Sequence, residues 1–321
     1  MAKTPEKVFE FLGQVWDAAL PVAKAEAAAQ QELINKEGGR FKLEPWDWWF
    51  YSEKIKKVRY DLDDEITRPY FMIDNVMEGM FYVANRLYGL TFTKRTDIPK
   101  YHPDVNTFEV ARDGKHVGIL MIDNYPRPSK RGGAWCGTYR SQKRDINGKM
   151  IHPVVTMVTN SSLPSADKPS LLTALEAETL FHEFGHALNN LLSDVTYPGS
   201  SIPRDFVELP SQIMEHWVLE PEVLKVYAKH WQTGEIIPQE IVDKLDKSGK
   251  FNMGFTTVEY IAASLLDMEY HALTEPDEPD IRDFENRAMA KYGLIPEIKP
   301  RYRSTYFNHI WGGGYSAGYY S

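Results

Sequence analysis

His182 and His186 stand four residues apart in LFHEFGHAL, with Glu183 directly after the first histidine. Four residues advance about 40° round an α-helix, so on a helix both imidazoles project from one face. Two convergent nitrogen donors suit a zinc ion, and a carboxylate beside the first of them reaches a zinc-bound water rather than the metal. The chemistry this HExxH pattern offers is hydrolysis, in which the metal acidifies its water and Glu183 takes the proton as general base. A polar surface pair of histidines would have solvated neighbours, yet Phe181, Phe184, Gly185, Ala187 and Leu188 surround this one.

A catalytic zinc takes three protein ligands and keeps one position open. The stretch RDFVELPSQIMEHW offers Glu208 and Glu215, seven residues apart and so nearly in line on one helical face. Pro210 suits the first turn of a helix, which puts Glu208 at that helix's start. Either glutamate could ligate, with the other holding a ligand histidine from behind. An ordinary surface carboxylate is the simpler fate of each.

These side chains need elements to hold them. LLTALEAETLFHEFGHALNNLL has the composition of a helix with few breakers. Residues 5–36 also read as helix, with Val8, Phe9, Leu12, Val15 and Trp16 at helical spacing and Gly38 and Gly39 as the stop. Pro45 opens a second helical stretch, and a third is expected from about Arg68 to Leu87, with Gly89 just past its end. Between 91 and 160 short β-branched and aromatic runs alternate with turn signals. Asp113-Gly114 predicts a hairpin, and GGAWCGTYR and HPVVTMVT are two further candidate strands. From Leu171 the helical pattern returns, punctuated by Pro221, Pro238, Pro276, Pro279, Pro296 and Pro300. The expected architecture is mainly α with a small antiparallel or mixed β-sheet beside the active-site helix. Residues 1–90 are helical, 91–160 form the sheet and 161–321 are helical again, all within one region free of repeats and clear linkers.

Hydrophobic residues make up 43% of the 321, enough to bury a sizeable core. A net charge of −8 argues against a nucleic-acid surface, which leans on an excess of Lys and Arg. No run approaches the 18 apolar residues of a membrane span, and MAKTPEKVFE is not a secretory signal. The single cysteine, Cys136, rules out an internal disulfide framework and fits a reducing, cytoplasmic setting. It is expected to be a small packing residue rather than a reactive thiol.

The chain resembles the thimet-oligopeptidase family of zinc peptidases, most closely its peptidyl-dipeptidase branch. The residues that carry the likeness are LFHEFGHAL, RDFVELPSQIMEHW and PRYRSTYFNHIWGGGYSAGYY, with GGAWCG, YHPDV and LEPWDWWFY in addition. The resemblance covers essentially the whole chain. It implies a zincin-type catalytic region of a channel-shaped helical peptidase, with one Zn2+ per chain held by His182, His186 and Glu208, and Glu215 in support. It implies His309, Tyr315 and Tyr319 as substrate and oxyanion donors, where composition alone reads aromatic packing. Gly313 and Gly314, with Gly312, are expected in a mobile loop that lets backbone approach substrate, against the alternative of an ordinary turn. The segment with Gly133 and Ala134 is expected to pair with the peptide backbone as an added strand, against the alternative of a plain sheet edge. Arg301 and Arg303 are candidate anchors for a substrate carboxylate, or surface charges.

The implied activity is zinc-dependent hydrolysis of short peptides with release of C-terminal dipeptides. An endo-acting oligopeptidase and a zinc-binding fragment with little activity of its own are the alternatives. The family's N-terminal helical half, and a tyrosine that in the family follows the position of Ser321, have no counterpart in the 321 residues. The expectation is therefore a chain truncated at both ends, with the missing half as a candidate partner chain.

Overall fold

The computed structural model describes residues 2–198, 202–275 and 280–321; Pro276 and Pro279, expected as helix breaks, lie outside the described residues. In chain order the elements are α1 (Pro5–Lys36), α2 (Trp48–Tyr60), α3 (Asp64–Thr67), α4 (Ile73–Tyr88), β1 (Leu90–Lys94), β2 (Asn106–Arg112), β3 (Lys115–Asp123), β4 (Trp135–Arg140), β5 (Lys143–Arg144), β6 (Met150–Ile151) and β7 (Val154–Val158). There follow α5 (Ala174–Leu191), α6 (Leu209–Glu215), α7 (Pro221–Tyr227), α8 (Gln239–Ser248), α9 (Met253–His271), α10 (Ile281–Lys291) and α11 (Asn308–Trp311). The fold is mainly helical with a small sheet. Among the described residues no helix is long and apolar enough to cross a membrane.

The chain divides into two compact units, one of residues up to 62 together with 247–321 and one of 63–246. In the first, the apolar stripe of α1 packs along α9. Val8, Leu12, Trp16, Ala23, Ala27 and Ile34 are buried with Phe255, Val258, Ile261, Ala262 and Leu265 in one core. Trp48 of α2 stacks on Phe255 with ring centroids 4.5 Å apart and donates its indole N–H to Asn252 Oδ1 at 3.0 Å.

The second unit is built on a five-stranded mixed sheet of order β1-β2-β3-β7-β4. The β3–β7 pair is parallel and the other three pairs are antiparallel. The β2–β3 hairpin turns on Asp113 (φ 51) and Gly114 (φ 71), the two positive values that a tight primed turn demands. Rings of Phe81, Phe92, Phe108 and Phe184 pack together between α4, the sheet and α5. The edge strand β4 lies against α5.

The third helix starts later than its sequence pattern suggests. Arg68–Tyr70 form a single 3-10 turn, Met72 bridges to Leu171, and the Ile73 N–H donates to Ser170 O at 3.0 Å. Backbone groups committed to that bridge are unavailable to a continuous helix, so α4 begins at Ile73. It ends as expected, at Gly89 with φ 67.

Candidate metal centre

The start of α5 is fixed by a capping box. Thr173 Oγ1 accepts the Glu176 N–H at 3.0 Å, and the Glu176 carboxylate accepts the Thr173 N–H at 2.8 Å. From that start, Phe181, Phe184, Ala187 and Leu188 fall on buried faces of the helix, while His182 and His186 remain partly accessible. Pro210 stands in the first turn of α6, and Glu208 occupies its N-cap position.

Gly185, between the two histidines, brings α6 close. A Cβ at this position would lie 2.5 Å from Pro210 O and 2.6 Å from Ser211 Cα, so the two backbones touch. That approach delivers Glu208. Its Oε2 lies 3.3 Å from His182 Nε2 and 3.0 Å from His186 Nε2. Ser211, fully buried, donates its hydroxyl towards Glu208 Oε2 at 3.2 Å and Glu208 O at 2.8 Å. One turn further, Glu215 Oε1 meets His182 Nδ1 at 2.6 Å. The two glutamates that spacing could not tell apart thus occupy different positions: one faces both Nε2 atoms, the other the far side of one ring. Single donor atoms of His182, His186 and Glu208 all lie within 4.8 Å of one another, a group able to hold a metal ion.

Electrostatics point the same way. Glu183 is 5% exposed, and its Oε2 is buried with no hydrogen-bond partner. Burial pushes its pKa up to about 7 against the pull of His182 and His186. His182 is drawn down by burial, but its hydrogen bonds to Glu208 and Glu215 and the nearby Glu183 charge outweigh that and push it up to about 10. Carboxylates crowded round two imidazoles, one with an unsatisfied buried oxygen, are a donor set that fits a divalent cation with an activated water.

Cys136 lies on β4, the strand that packs against α5. Burial, and then the Glu183 charge, push the thiol up to about 12, so it stays protonated. Gly133, with φ 84, sits in the turn before β4, and its carbonyl accepts Asn160 Nδ2 at 2.7 Å. Ala134 is the last residue before the strand.

The remaining sequence candidates lie in the other unit. His309 packs edge-on with Tyr315 (6.1 Å between centroids) and Tyr319 (5.5 Å), and the two tyrosines are 6.4 Å apart. Burial raises the Tyr319 phenol well above its ordinary value, so it remains a hydrogen-bond donor at neutral pH. Asp267 of α9, fully buried, accepts the backbone N–H groups of Ala317 (2.9 Å) and Tyr319 (3.0 Å) and so fixes the turn that carries these rings. Gly314 has φ 83, and a Cβ on Gly313 would lie 2.9 Å from His309 Cα. The Arg303 guanidinium bonds to Glu285 Oε1 at 2.5 Å, whereas Arg301 lies 3.9 Å from Glu259 and is 48% exposed.

Sequence reasoning took Gly185 only as an apolar neighbour of the histidines, missing its part in the close approach of α6, and passed over Ser211, Asn160 and Asp267. Gly185 carried a signal: a glycine is costly in the middle of a helix, and its presence there marks a close backbone approach. Asp267 carried another, as a lone carboxylate within the apolar run IAASLLDM.

A sequence model described as Peptidase family M3 matches residues 1–321. Dipeptidyl carboxypeptidase of Escherichia coli (strain K12) is 44% identical over 329 residues, which take in 100% of this chain and 48% of that protein. Oligopeptidase A of the same organism is 37% identical over 328 residues, with the same two shares. Organellar oligopeptidase A, chloroplastic/mitochondrial, of Arabidopsis thaliana is 36% identical over 340 residues, or 99% of this chain and 42% of that protein. The chain spans about half the length of the relatives it matches.

Proposed function

The chain belongs to peptidase family M3, and on that footing we propose that it carries the zinc site of a peptidase that releases C-terminal dipeptides from short peptides. His182, His186 and Glu208 hold the ion, and Glu183 is the general base. The observation that carries this reading is the single oxygen, Glu208 Oε2, lying within 3.3 Å of both histidine Nε2 atoms. Once bound, zinc supplies a Lewis acid that polarises the scissile carbonyl and acidifies water.

The protein's own groups do the rest. Glu215 holds the His182 ring by Nδ1, which leaves Nε2 as the donor towards the metal. Glu183 takes a proton from the attacking water at its unsatisfied oxygen and returns it to the leaving amine. A carboxyl lifted toward neutrality by burial is matched to both transfers. The edge of β4 pairs with the peptide backbone, a contact indifferent to side chains. The family resemblance assigns His309, Tyr315 and Tyr319 as substrate donors, and Arg301 is the freer of the two candidate anchors for a substrate carboxylate. Dipeptide release is favoured over endo-cleavage by the 44% identity to the dipeptidyl carboxypeptidase against 37% to oligopeptidase A. The test is to incubate the zinc-loaded chain with an N-blocked short peptide and identify the products. Internal fragments in place of the C-terminal dipeptide would assign endo-cleavage, and no turnover would leave a zinc-binding fragment.

Two results are expected of the metal site. Glu208→Ala abolishes zinc retention on dialysis, while Glu215→Ala weakens it by about 10- to 100-fold, the usual cost of losing a group behind a ligand. Metal analysis after dialysis measures both, and equal losses would mean the ligand is misassigned. The second result concerns pH. His182 has a metal-free pKa of about 10, so it is protonated at pH 7 and must give up that proton to ligate. Zinc affinity therefore rises with pH between 6 and 9. Calorimetry in buffers of different ionisation enthalpy reads about one or more protons released per zinc. Zero release at pH 7 contradicts the site as drawn.

A further inference from the structure

We propose that Asn160 is a positioning residue that holds the turn leading into β4, and so sets the register in which that edge receives a peptide. The inference rests on the reading of β4 as the peptide-binding edge. Asn160 follows directly on Thr159, just past the end of β7. Its Nδ2 donates to Arg131 O at 2.9 Å and to Gly133 O at 2.7 Å. Both neighbours are carbonyls, so only the amide nitrogen, with its two protons, can satisfy them.

The anchor beneath is rigid. Lys130, its side chain only 6% exposed, donates to Tyr125 O at 2.7 Å, Thr159 O at 2.5 Å and Asp123 Oδ1 at 3.2 Å. Asp123, 1% exposed, also takes both arms of Arg127 (2.8 and 2.7 Å) and the Tyr101 hydroxyl (3.0 Å). These groups tie the C-terminal ends of the parallel pair β3–β7 to residues 125–130. Asn160 carries the same fixture across to 131–133, where Gly133 turns the chain at φ 84 into the strand. Immediately beyond, β4 packs against α5, the helix that carries Glu183. The strand's register therefore decides which peptide carbonyl stands before the general base.

The test uses the zinc-loaded Glu183→Gln chain, which holds peptide without turning it over, and titration calorimetry with a short peptide and its singly N-methylated analogues. N-methylation removes one backbone donor at a time. Asn160→Ala and Asn160→Asp are each introduced; the second keeps the shape but has no donor. The expected result is at least ten-fold weaker peptide binding, with zinc content unchanged, since two hydrogen bonds that hold the turn are lost. In addition, the most damaging N-methyl group costs several-fold less in the variants than in the parent, because the lost register and the lost donor act on one contact. If the parent fails to bind, or no N-methyl group weakens its binding, the edge-strand reading falls and this inference with it. If N-methylation weakens the parent while both Asn160 variants bind and respond as the parent does, the edge reading stands and Asn160 positions nothing. Loss of zinc, or a fall of more than about 10 °C in Tm, in both variants would make Asn160 a stability residue and overturn the proposal.

Discussion

Glu183→Gln leaves zinc bound and lowers peptide turnover by about 10²- to 10⁴-fold, the range a positioned general base contributes. The amide matches the carboxylate in shape but cannot accept a proton. Position makes the expected loss large. Glu183 is 5% exposed, on the buried side of α5, and its Oε2 has no protein hydrogen bond to lose. Substitution therefore removes a proton acceptor without dismantling a network, and the fold and the three ligand side chains stay as they are. The pH profile gives a second check. Burial sets Glu183 at about 7 with no metal present, and the added positive charge of zinc favours the carboxylate. The acid limb of kcat should accordingly fall below pH 7 and disappear in the Gln variant. Turnover within ten-fold of the parent would remove Glu183 from the chemistry.

The parts of this site that were legible in the sequence are those with a local signature. His182, Glu183 and His186 share one helix, so a four-residue spacing predicts their common face without any knowledge of the fold. The hairpin at Asp113-Gly114 and the helix stop at Gly89 were legible for the same reason, since each needs a positive φ within a few residues. What the residues alone left open is long-range. Glu208 and Glu215 share one helical face, and only the approach of α6 to α5 separates the oxygen facing two imidazoles from the one behind His182. The parallel β3–β7 pairing, which makes β4 an edge beside α5, joins segments more than thirty residues apart. No periodicity within either strand encodes that choice. The late start of α4 belongs to this class too, because the bridge between Met72 and Leu171 crosses about a hundred residues.

Gly185→Ala separates local propensity from tertiary geometry by the sign of its effect. Within a helix Ala is favoured over Gly by about 1 kcal/mol, so propensity alone predicts a more stable protein and an unchanged site. The structure predicts the opposite. The new methyl would sit 2.5 Å from Pro210 O and 2.6 Å from Ser211 Cα, distances that real Cβ atoms do not adopt, and both atoms are backbone with no rotamer to give way. The first turn of α6 must move off α5. Ser211 supports Glu208 through its hydroxyl, and Glu208 stands one residue before α6, so the carboxylate moves with the turn. The two histidines, fixed on α5, keep their places. Zinc is left with two good donors and a third out of reach, and its affinity should fall by about 100-fold, with peptide turnover lost in step. Circular dichroism should show the helices retained. Gly185→Ser, slightly larger, should be at least as damaging. Zinc affinity equal to that of the parent in Gly185→Ala would show that the α5–α6 contact is loose enough to admit a methyl group, and that the placement of Glu208 does not depend on it.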